Sequence, residues 1–378
     1  MSKKTIRDPI HGQIMLSEIE IKVIDTLQFQ RLRNIRQLGM AHFVYPGAHH
    51  TRFEHSIGTL KIADKMARKL ELGEAERTRL RIAALLHDIG HLAFSHDSEE
   101  ILHSKIGRHE QIGKKIMCSS PISDIISEND DARKIADWAG GEEYGQLISS
   151  DIGADRLDYL LRDAHYTGVA YGVIDWGRII SKLKWSDNEP AVDFGGLEAA
   201  ESVMLARFSM FHTVYYHHAV RIARAMFQHA LKIFSESSEF SEEVMHEGDS
   251  LLLAKMKKYE KTKELAKFLS ERKLYKRALE IEWNKLEEEK KKYIISSEFA
   301  SKLCEKFNSA IFVSPPAEFV SPAKIKIVKK EKVGTLDEFS SISSSLQKAA
   351  AERATLLICA PSEISKKVGD YSSSLVEK

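Results

Sequence analysis

The sequence predicts a mainly α-helical protein carrying short β-hairpins and a small C-terminal α+β lobe. Three observations lead there. Apolar residues recur at helical spacing through most of residues 17–234, as with Ile19, Val23, Ile24, Leu27 and Leu32. β-prone runs are short and interrupted by turn formers: Pro9 and Gly12 within residues 5–16, and Asp187-Asn188-Glu189-Pro190 within residues 183–194. Beyond Ser238 the composition changes, and the last part alternates the strand-like runs AIFVS, AKIKIVKK and TLLICAP with helical segments. We therefore expect a core over residues 1–238 and, over 239–378, a helical extension followed by the small lobe.

Taken in order, residues 17–39 read as helix, with Gly39 as its C-cap. The loop AHFVYPGAHHTRFEH follows, and its histidines, aromatic residues and glycine more often carry a site than packing. Thr51 caps a helix through Leu72, with Gly73 as its stop. The next helix ends in RIAALLHDIGHLAFSH, residues 81–96, and further amphipathic helices fill 99–118 and 130–138. Residues 146–165 read as one helix interrupted only at Gly153. A long helix then covers 197–234, with Phe208, Phe211, Tyr215 and His218 on related faces. Residues 256–293, dense in Lys and Glu, read as a solvated helical surface in preference to a nucleic-acid-binding arm. Pro315-Pro316 breaks the chain between the first two strands of the lobe.

With 378 residues, 43% hydrophobic and 29% charged, the chain has an ordinary globular composition and the length for a large core. A net charge of +1 gives no general reason to expect a nucleic-acid partner. Cys118, Cys304 and Cys359 are odd in number and lack CxxC spacing, which fits a reducing cytoplasm and removes thiolates as metal ligands. The start, MSKKTIRDPIHG, leads into no apolar segment, and no run reaches the roughly 18 residues that span a bilayer. A cytoplasmic location without membrane attachment is the expectation.

The chemistry concentrates in residues 81–96. A helix that buries Ile82, Ala84, Leu85 and Leu86 ends in His87-Asp88, and His91 and His96 follow. A lone His-Asp pair reads more simply as a core histidine bonded to its neighbour, but this pair has other ligand-type residues for company. A divalent metal satisfies imidazole and carboxylate together, and Mn, Mg, Fe, Co, Ni and Zn are all candidates. Asp151, Asp155 and Asp158 stand at helical spacings of four and three, and repel one another unless a cation or an arginine stands opposite. His55 in TRFEHSIG, His87, Asp88 and Asp155 together offer two nitrogens and two oxygens from three helices, leaving positions open for water and substrate. A metal so held lowers the pKa of bound water towards about 7, which makes the site hydrolytic in character.

The order H, HD, D, together with FQRLRNIRQLG, VYPGAHHTRFEHSIG, LLHDIGHLAFSH, RHEQIG and DRLDYLLRDAHYTGV, resembles the HD-domain phosphohydrolase superfamily, in the branch of dNTP triphosphohydrolases and dGTPase-like enzymes. The similarity runs from Ile6 to Arg221. It implies an HD-domain helical core with a divalent metal on His55, His87, Asp88 and Asp155, the motif DRLDY singling out Asp155 among the three aspartates. It also implies that His91, His96, Glu99 and His109 line the phosphate side, where a histidine backed by a carboxylate passes a proton to the leaving oxygen. Arg52 and Arg156 match positions that grip phosphates, a task that suits the guanidinium fork. Tyr159 matches a residue under the sugar, Asp163 one that accepts from the 3′-hydroxyl, Gln37 and Leu38 a pair near sugar and base, and His218 a substrate contact. Thr213, Val214 and Ala219 stand where the vertebrate relative has basic residues, and Arg221 is the candidate to compensate. The implied activity is metal-dependent hydrolysis of a dNTP to deoxynucleoside and triphosphate by a homo-oligomer. The alternatives are a phosphatase or phosphodiesterase acting on another nucleotide, and a non-catalytic nucleotide sensor.

Overall fold

The computed structural model describes residues 4–316 and 324–377. Ala323, where the run AKIKIVKK begins, lies outside them. The architecture is mainly α, as the sequence predicts. It opens with an antiparallel hairpin, β1 (Lys4–Asp8) and β2 (Gly12–Leu16), with Gly12 at a φ of 67° that suits glycine. Residues 17–39 are not one helix. Ser17 caps Glu18–Ile24, Thr26 caps Leu27–Gln30, and a 3-10 turn Arg31–Asn34 follows. Each hydroxyl starts a new helix where apolar periodicity alone ran on.

Three helices build the centre of the molecule. Arg52–Lys69 packs between Glu74–Leu86 and Ala154–Thr167. Thr51 caps the first, and its N–H donates to Glu54 Oε2 at 2.9 Å. That helix stops at Lys69. Gly73, expected to end it, opens the next helix instead and donates its N–H to Glu76 Oε2 at 2.9 Å. Where Arg52–Lys69 crosses Ala154–Thr167, a Cβ on Gly58 would lie 1.9 Å from Asp158 Oδ1 and 2.4 Å from Arg162 Nη2. Only glycine permits that approach.

Two further expected helices are divided beside the site. Residues 146–165 split into Gln146–Ser149 and Ala154–Thr167, because Ser150 turns extended and the chain folds tightly enough that a Cβ on Gly153 would strike the Ile148 carbonyl. Asp151 therefore leaves the face it was expected to share with Asp155 and Asp158. The long helix splits too: Leu197–Met210 passes into a π-helical turn, Phe211–Tyr215, and a new helix, His218–Ser235, begins after His217, whose Nδ1 accepts from the Ala219 N–H at 3.2 Å.

The second hairpin is where it was expected. β3 (Leu183–Ser186) and β4 (Glu189–Asp193) pair across Asp187 and Asn188, both at positive φ, the geometry that matches strand twist. The Lys- and Glu-rich stretch contains a strand, β5 (Lys276–Glu282), where a helical surface was expected. β5 and β6 (Phe312–Ser314) flank β9 (Thr355–Ala360), whose buried run LLICA supplies the centre of the lobe. The apolar side chains of Leu279 and Ile281 pack against that cluster, so burial overrides the charged neighbours. β7 (Lys326–Lys329) and β8 (Lys332–Thr335) leave the lobe. β7 runs parallel to β4, giving the sheet order β3-β4-β7-β8, so the last part of the chain completes a sheet begun before residue 238. Helix 336–351 breaks at Ser340 into Leu336–Phe339 and Ser341–Glu352. Among the described residues no helix is long and apolar enough to cross a membrane.

Candidate active site

Helix boundaries bring the ligand-type residues together. His55 lies in the first turn of Arg52–Lys69, His87 caps the end of Glu74–Leu86, and Asp155 stands in the first turn of Ala154–Thr167. His55 Nε2 is 3.0 Å from Asp155 Oδ1, 3.3 Å from His87 Nε2 and 3.6 Å from Asp88 Oδ2. His87 Nε2 is 3.4 Å from Asp88 Oδ1 and 3.8 Å from Asp155 Oδ1.

The far side of each imidazole decides what this cluster can hold. His55 Nδ1 lies 2.8 Å from Asp158 Oδ2, and His87 Nδ1 lies 2.8 Å from the Ala84 carbonyl. Both partners are acceptors, so each Nδ1 donates and each Nε2 presents a lone pair to the same small space. Two lone pairs and two carboxylates facing one another need positive charge between them. Burial alone would lower the pKa of His55, yet its hydrogen bonds to Asp155 and Asp158 hold it up at about 10. A divalent cation answers the same need: His55, His87 and Asp155 each bring a ligand atom close enough to share one ion, and the Asp88 carboxylate stands beside them, its two oxygens 3.4 and 3.6 Å from the imidazoles.

Asp158 is the residue that sequence reasoning left without a role. It is fully buried and accepts four hydrogen bonds: from His55 Nδ1 and Arg162 Nε on Oδ2, both at 2.8 Å, and from His11 Nε2 at 2.6 Å and Arg162 Nη2 at 2.9 Å on Oδ1. Burial pushes its carboxyl up, but the Arg162 charge and the bonds from His11 and His55 hold it well below the usual carboxylate range. Arg162 Nη1 also donates to Asp8 at 2.9 Å, so the N-terminal hairpin braces the ligand helix. The signal was in DRLDYLLR: an aspartate three residues after Asp155 and an arginine one turn later.

The turn after His87-Asp88 is clamped from outside. Arg31 donates to the carbonyls of Ile89 and His91, each at 2.7 Å. A Cβ on Gly90 would lie 2.0 Å from the His109 carbonyl and 2.4 Å from Gly113 N. Gly90 thus serves close packing against the helix His109–Ser119. That contact stacks the His91 and His109 rings at 4.0 Å. His109 Nδ1 is 2.6 Å from Glu99 Oε2, and His96 Nδ1 is 3.7 Å from the same oxygen. Burial would raise Glu99, but its bonds to His96 and His109 take it down to about 2, so it stands ionised behind both imidazoles. His91 Nε2 lies 3.2 Å from Asp88 Oδ1, which links this group to the ligand cluster. Arg52 donates from Nη1 to Asp88 Oδ2 at 2.5 Å and from Nε to Ser95 Oγ at 2.7 Å.

A cavity of about 500 Å³, of ligand-binding size, opens onto this centre. His87, Asp88 and Asp155 line it, as do His91, His96 and His109, while His55 and Glu99 stand behind the lining. Gln37, Leu38, Arg52, Tyr159 and Asp163 also line it. Asp163 accepts from His50 Nε2 at 2.8 Å and from the Tyr215 hydroxyl at 2.6 Å. Arg156 and His218 do not line the cavity. Arg156 turns to Asp151, and the His218 ring stacks on His217 at 4.5 Å. Arg221 does not compensate for the missing basic residues: it is buried and donates to the carbonyls of Ser314 and Thr355 at 2.8 and 2.9 Å. Phe211, Tyr215, Tyr216 and Arg224 line the cavity without having been expected there.

The HD domain family matches residues 52–163, and the HD associated region family matches 174–377. Among similar proteins is the uncharacterized protein MJ1154 of Methanocaldococcus jannaschii, 36% identical over 97% of this chain and 81% of its own length. Another is the deoxynucleoside triphosphate triphosphohydrolase SAMHD1 homolog of Dictyostelium discoideum, 30% identical over 73% of this chain and 60% of its own. A solved hypothetical protein from Aquifex aeolicus, 29% identical, matches with a TM-score of 0.83 over 98% of this chain and 99% of its own. With its HD region, its associated region and its imidazole-carboxylate centre, this chain belongs to the HD-domain phosphohydrolase superfamily and is a metal-dependent hydrolase.

Proposed function

We propose that this chain hydrolyses deoxynucleoside triphosphates to a deoxynucleoside and inorganic triphosphate. The observation that carries the reading is the ligand cluster of His55, His87, Asp88 and Asp155 beside a cavity with a tyrosine and a carboxylate, Tyr159 and Asp163, in its wall. A divalent cation on those four residues supplies Lewis-acid activation of water and neutralises phosphate charge. The other roles belong to the chain itself. His109, backed by ionised Glu99, delivers a proton to the departing 5′-oxygen, with His91 and His96 as its neighbours. Arg52 fixes Asp88 and faces the phosphates from the cavity wall. A carboxylate has more acceptor positions than the two used by His50 and Tyr215, so Asp163 retains capacity for a sugar hydroxyl. In this proposal the catalytic groups lie in residues 1–238, residues 239–378 support them, and the working form is a homo-oligomer.

One observation favours a second reading. Arg156 and His218 lie outside the lining, which leaves Arg52 and Arg224 as its arginines, each beside a carboxylate. Fewer cations suit a shorter phosphate chain, as in a phosphatase or phosphodiesterase acting on another nucleotide. A nucleotide panel with several divalent metals, with products separated by chromatography, tests both. Release of triphosphate, lost in His87→Ala and Asp88→Ala, is the expected result; phosphate or pyrophosphate as product favours the second reading. Absence of hydrolysis with a nucleotide-dependent rise in melting temperature leaves a sensor.

A further inference from the structure

A phosphate chain leaving the metal centre needs positive charge along its path, and the substitutions at Thr213, Val214 and Ala219 remove it from the expected places. Arg221 is committed to the C-terminal lobe. Arg224, nearly one turn further along His218–Ser235, lines the cavity. Its Nε lies 2.6 Å from Asp97 Oδ1, and among the described residues nothing accepts from its two terminal nitrogens. Asp97 directly follows His96, so this ion pair places the guanidinium beside the proposed proton-transfer group. One turn on from Arg224, Gln228 Nε2 donates to the Asp97 carbonyl at 3.3 Å and to Glu100 Oε2 at 2.7 Å, which pins this helix against His96–Ile106.

We propose that Arg224 binds the outer phosphates of the nucleotide, in place of the basic residues missing at 213, 214 and 219. The inference rests on the reading that a nucleotide occupies the cavity with its innermost phosphate at the metal centre. Asp97 pairs with the guanidinium as a charge near Nε, while the two terminal nitrogens, the pair that forks onto phosphate oxygens, have no acceptor among the described residues on a side chain that lines the cavity.

The test measures how affinity depends on the number of phosphates. Dissociation constants are determined for the 5′-mono-, di- and triphosphate analogues of one deoxynucleoside, with the 5′-oxygen replaced by CH2 so that cleavage there is blocked, using the metal-loaded full chain. In the wild type, affinity is expected to rise from mono- to triphosphate. In Arg224→Ala that rise is expected to shrink roughly ten- to a hundredfold, the loss of a charge-assisted hydrogen-bond pair, and Arg224→Lys is expected to recover part of it. An equal rise in wild type and Arg224→Ala overturns the proposal, as does a wild type indifferent to phosphate number, and in both cases nucleotide hydrolysis stands. Failure of all three analogues to bind the wild type removes the nucleotide reading itself. Arg224→Gln, which keeps most of the side chain's reach, carries the same comparison if the alanine variant does not fold.

Discussion

Replacing Asp158 with asparagine tests whether the metal centre is built from behind. The carboxylate has two oxygens and receives four donors, two of them from Arg162. Asparagine keeps one oxygen and places an amide, itself a donor, where the other stood. If the amide faces Oδ2's partners, His55 Nδ1 and Arg162 Nε lose their acceptor; if it faces Oδ1's, His11 and Arg162 Nη2 do. Either way Arg162, fully buried, loses half of its ionic partner and retains only Asp8. Breaking a buried pair from one side costs about 3–5 kcal/mol, and the remaining hydrogen bonds of the asparagine place Asp158→Asn at the lower end, about 3 kcal/mol.

The same substitution loosens His55. Without an ionised acceptor at 2.8 Å, its Nδ1 proton is no longer favoured, and the tautomer with Nε2 facing the cluster loses its advantage. Loss of such an outer partner lowers metal affinity by roughly 10- to 100-fold. Urea denaturation of metal-free protein measures the first effect, and calorimetric titration with Mn2+ or Co2+ the second. A variant within about 1 kcal/mol of wild type and within twofold in metal affinity refutes the account, because it shows that neither Arg162 nor His55 depends on the carboxylate.

Three further outcomes follow from other parts of the structure. Burial and the nearby Arg36 hold His42 down at about 4, so between pH 6.5 and 4 the unfolded chain takes up a proton that the folded chain refuses; this contribution to stability is complete above about pH 6.5 and is lost as pH falls towards 4. His42→Gln should therefore lose less unfolding free energy over that range, by on the order of 1 kcal/mol after screening, as read by urea denaturation at a series of pH values, and an unchanged slope refutes it. Arg221→Ala leaves the carbonyls of Ser314 and Thr355 without their donor, costs about 3 kcal/mol, and should expose the chain near residue 315 to proteolysis, read by mass spectrometry. Stripping divalent metal with a chelator should lower the melting temperature, and restoring it at 100 times its dissociation constant should return about 2.7 kcal/mol; no shift on either step refutes a metal bound preferentially to the folded chain.

How much of this was legible in the sequence depends on where each residue stands relative to a helix end. The ligand types at His55, His87 and Asp155 sit beside boundaries that the sequence marks, at Thr51, Gly90 and Gly153, so their convergence could be anticipated. Asp151 and Asp158 were harder: with a continuous helix all three aspartates face one way, and only the turn over 150–153 sends Asp151 to Arg156 while Asp158 braces His55. The region around 211–224 was least legible. A π-helical turn carries an extra residue, which rotates everything beyond it by about 100° relative to an unbroken α-helix, and the interruption at His217 adds a further change of direction. His218 and Arg221 consequently miss the cavity, and Arg224 lines it. β5 and the pairing of β7 with β4 are long-range choices, made by the burial of Leu279, Ile281 and Ile327, which local composition does not record.

The support that residues 239–378 give to the centre is specific enough to test by removing them. Phe94 and Ser95, in the cavity wall, both hold positive φ, at 59° and 53°, a conformation costing non-glycine residues about 1 kcal/mol or more each. Two anchors hold them there: Arg52 on the Ser95 hydroxyl, and Asp249 Oδ1, which accepts from the Phe94 N–H at 2.7 Å while Oδ2 accepts from the Arg36 N–H at 3.1 Å. A chain ending at residue 238 lacks Asp249, lacks β7 beside β4, and bares the apolar residues that His218–Ser235 buries against the lobe. The turn carrying Ser95 should then relax, and Arg52 with it, so that Asp88 loses its fixed direction. Such a fragment is expected to be aggregation-prone or to bind metal at least tenfold more weakly than the full chain. A soluble, cooperatively melting fragment with full metal affinity would show instead that the strain at 94–95 is held from within the HD region alone.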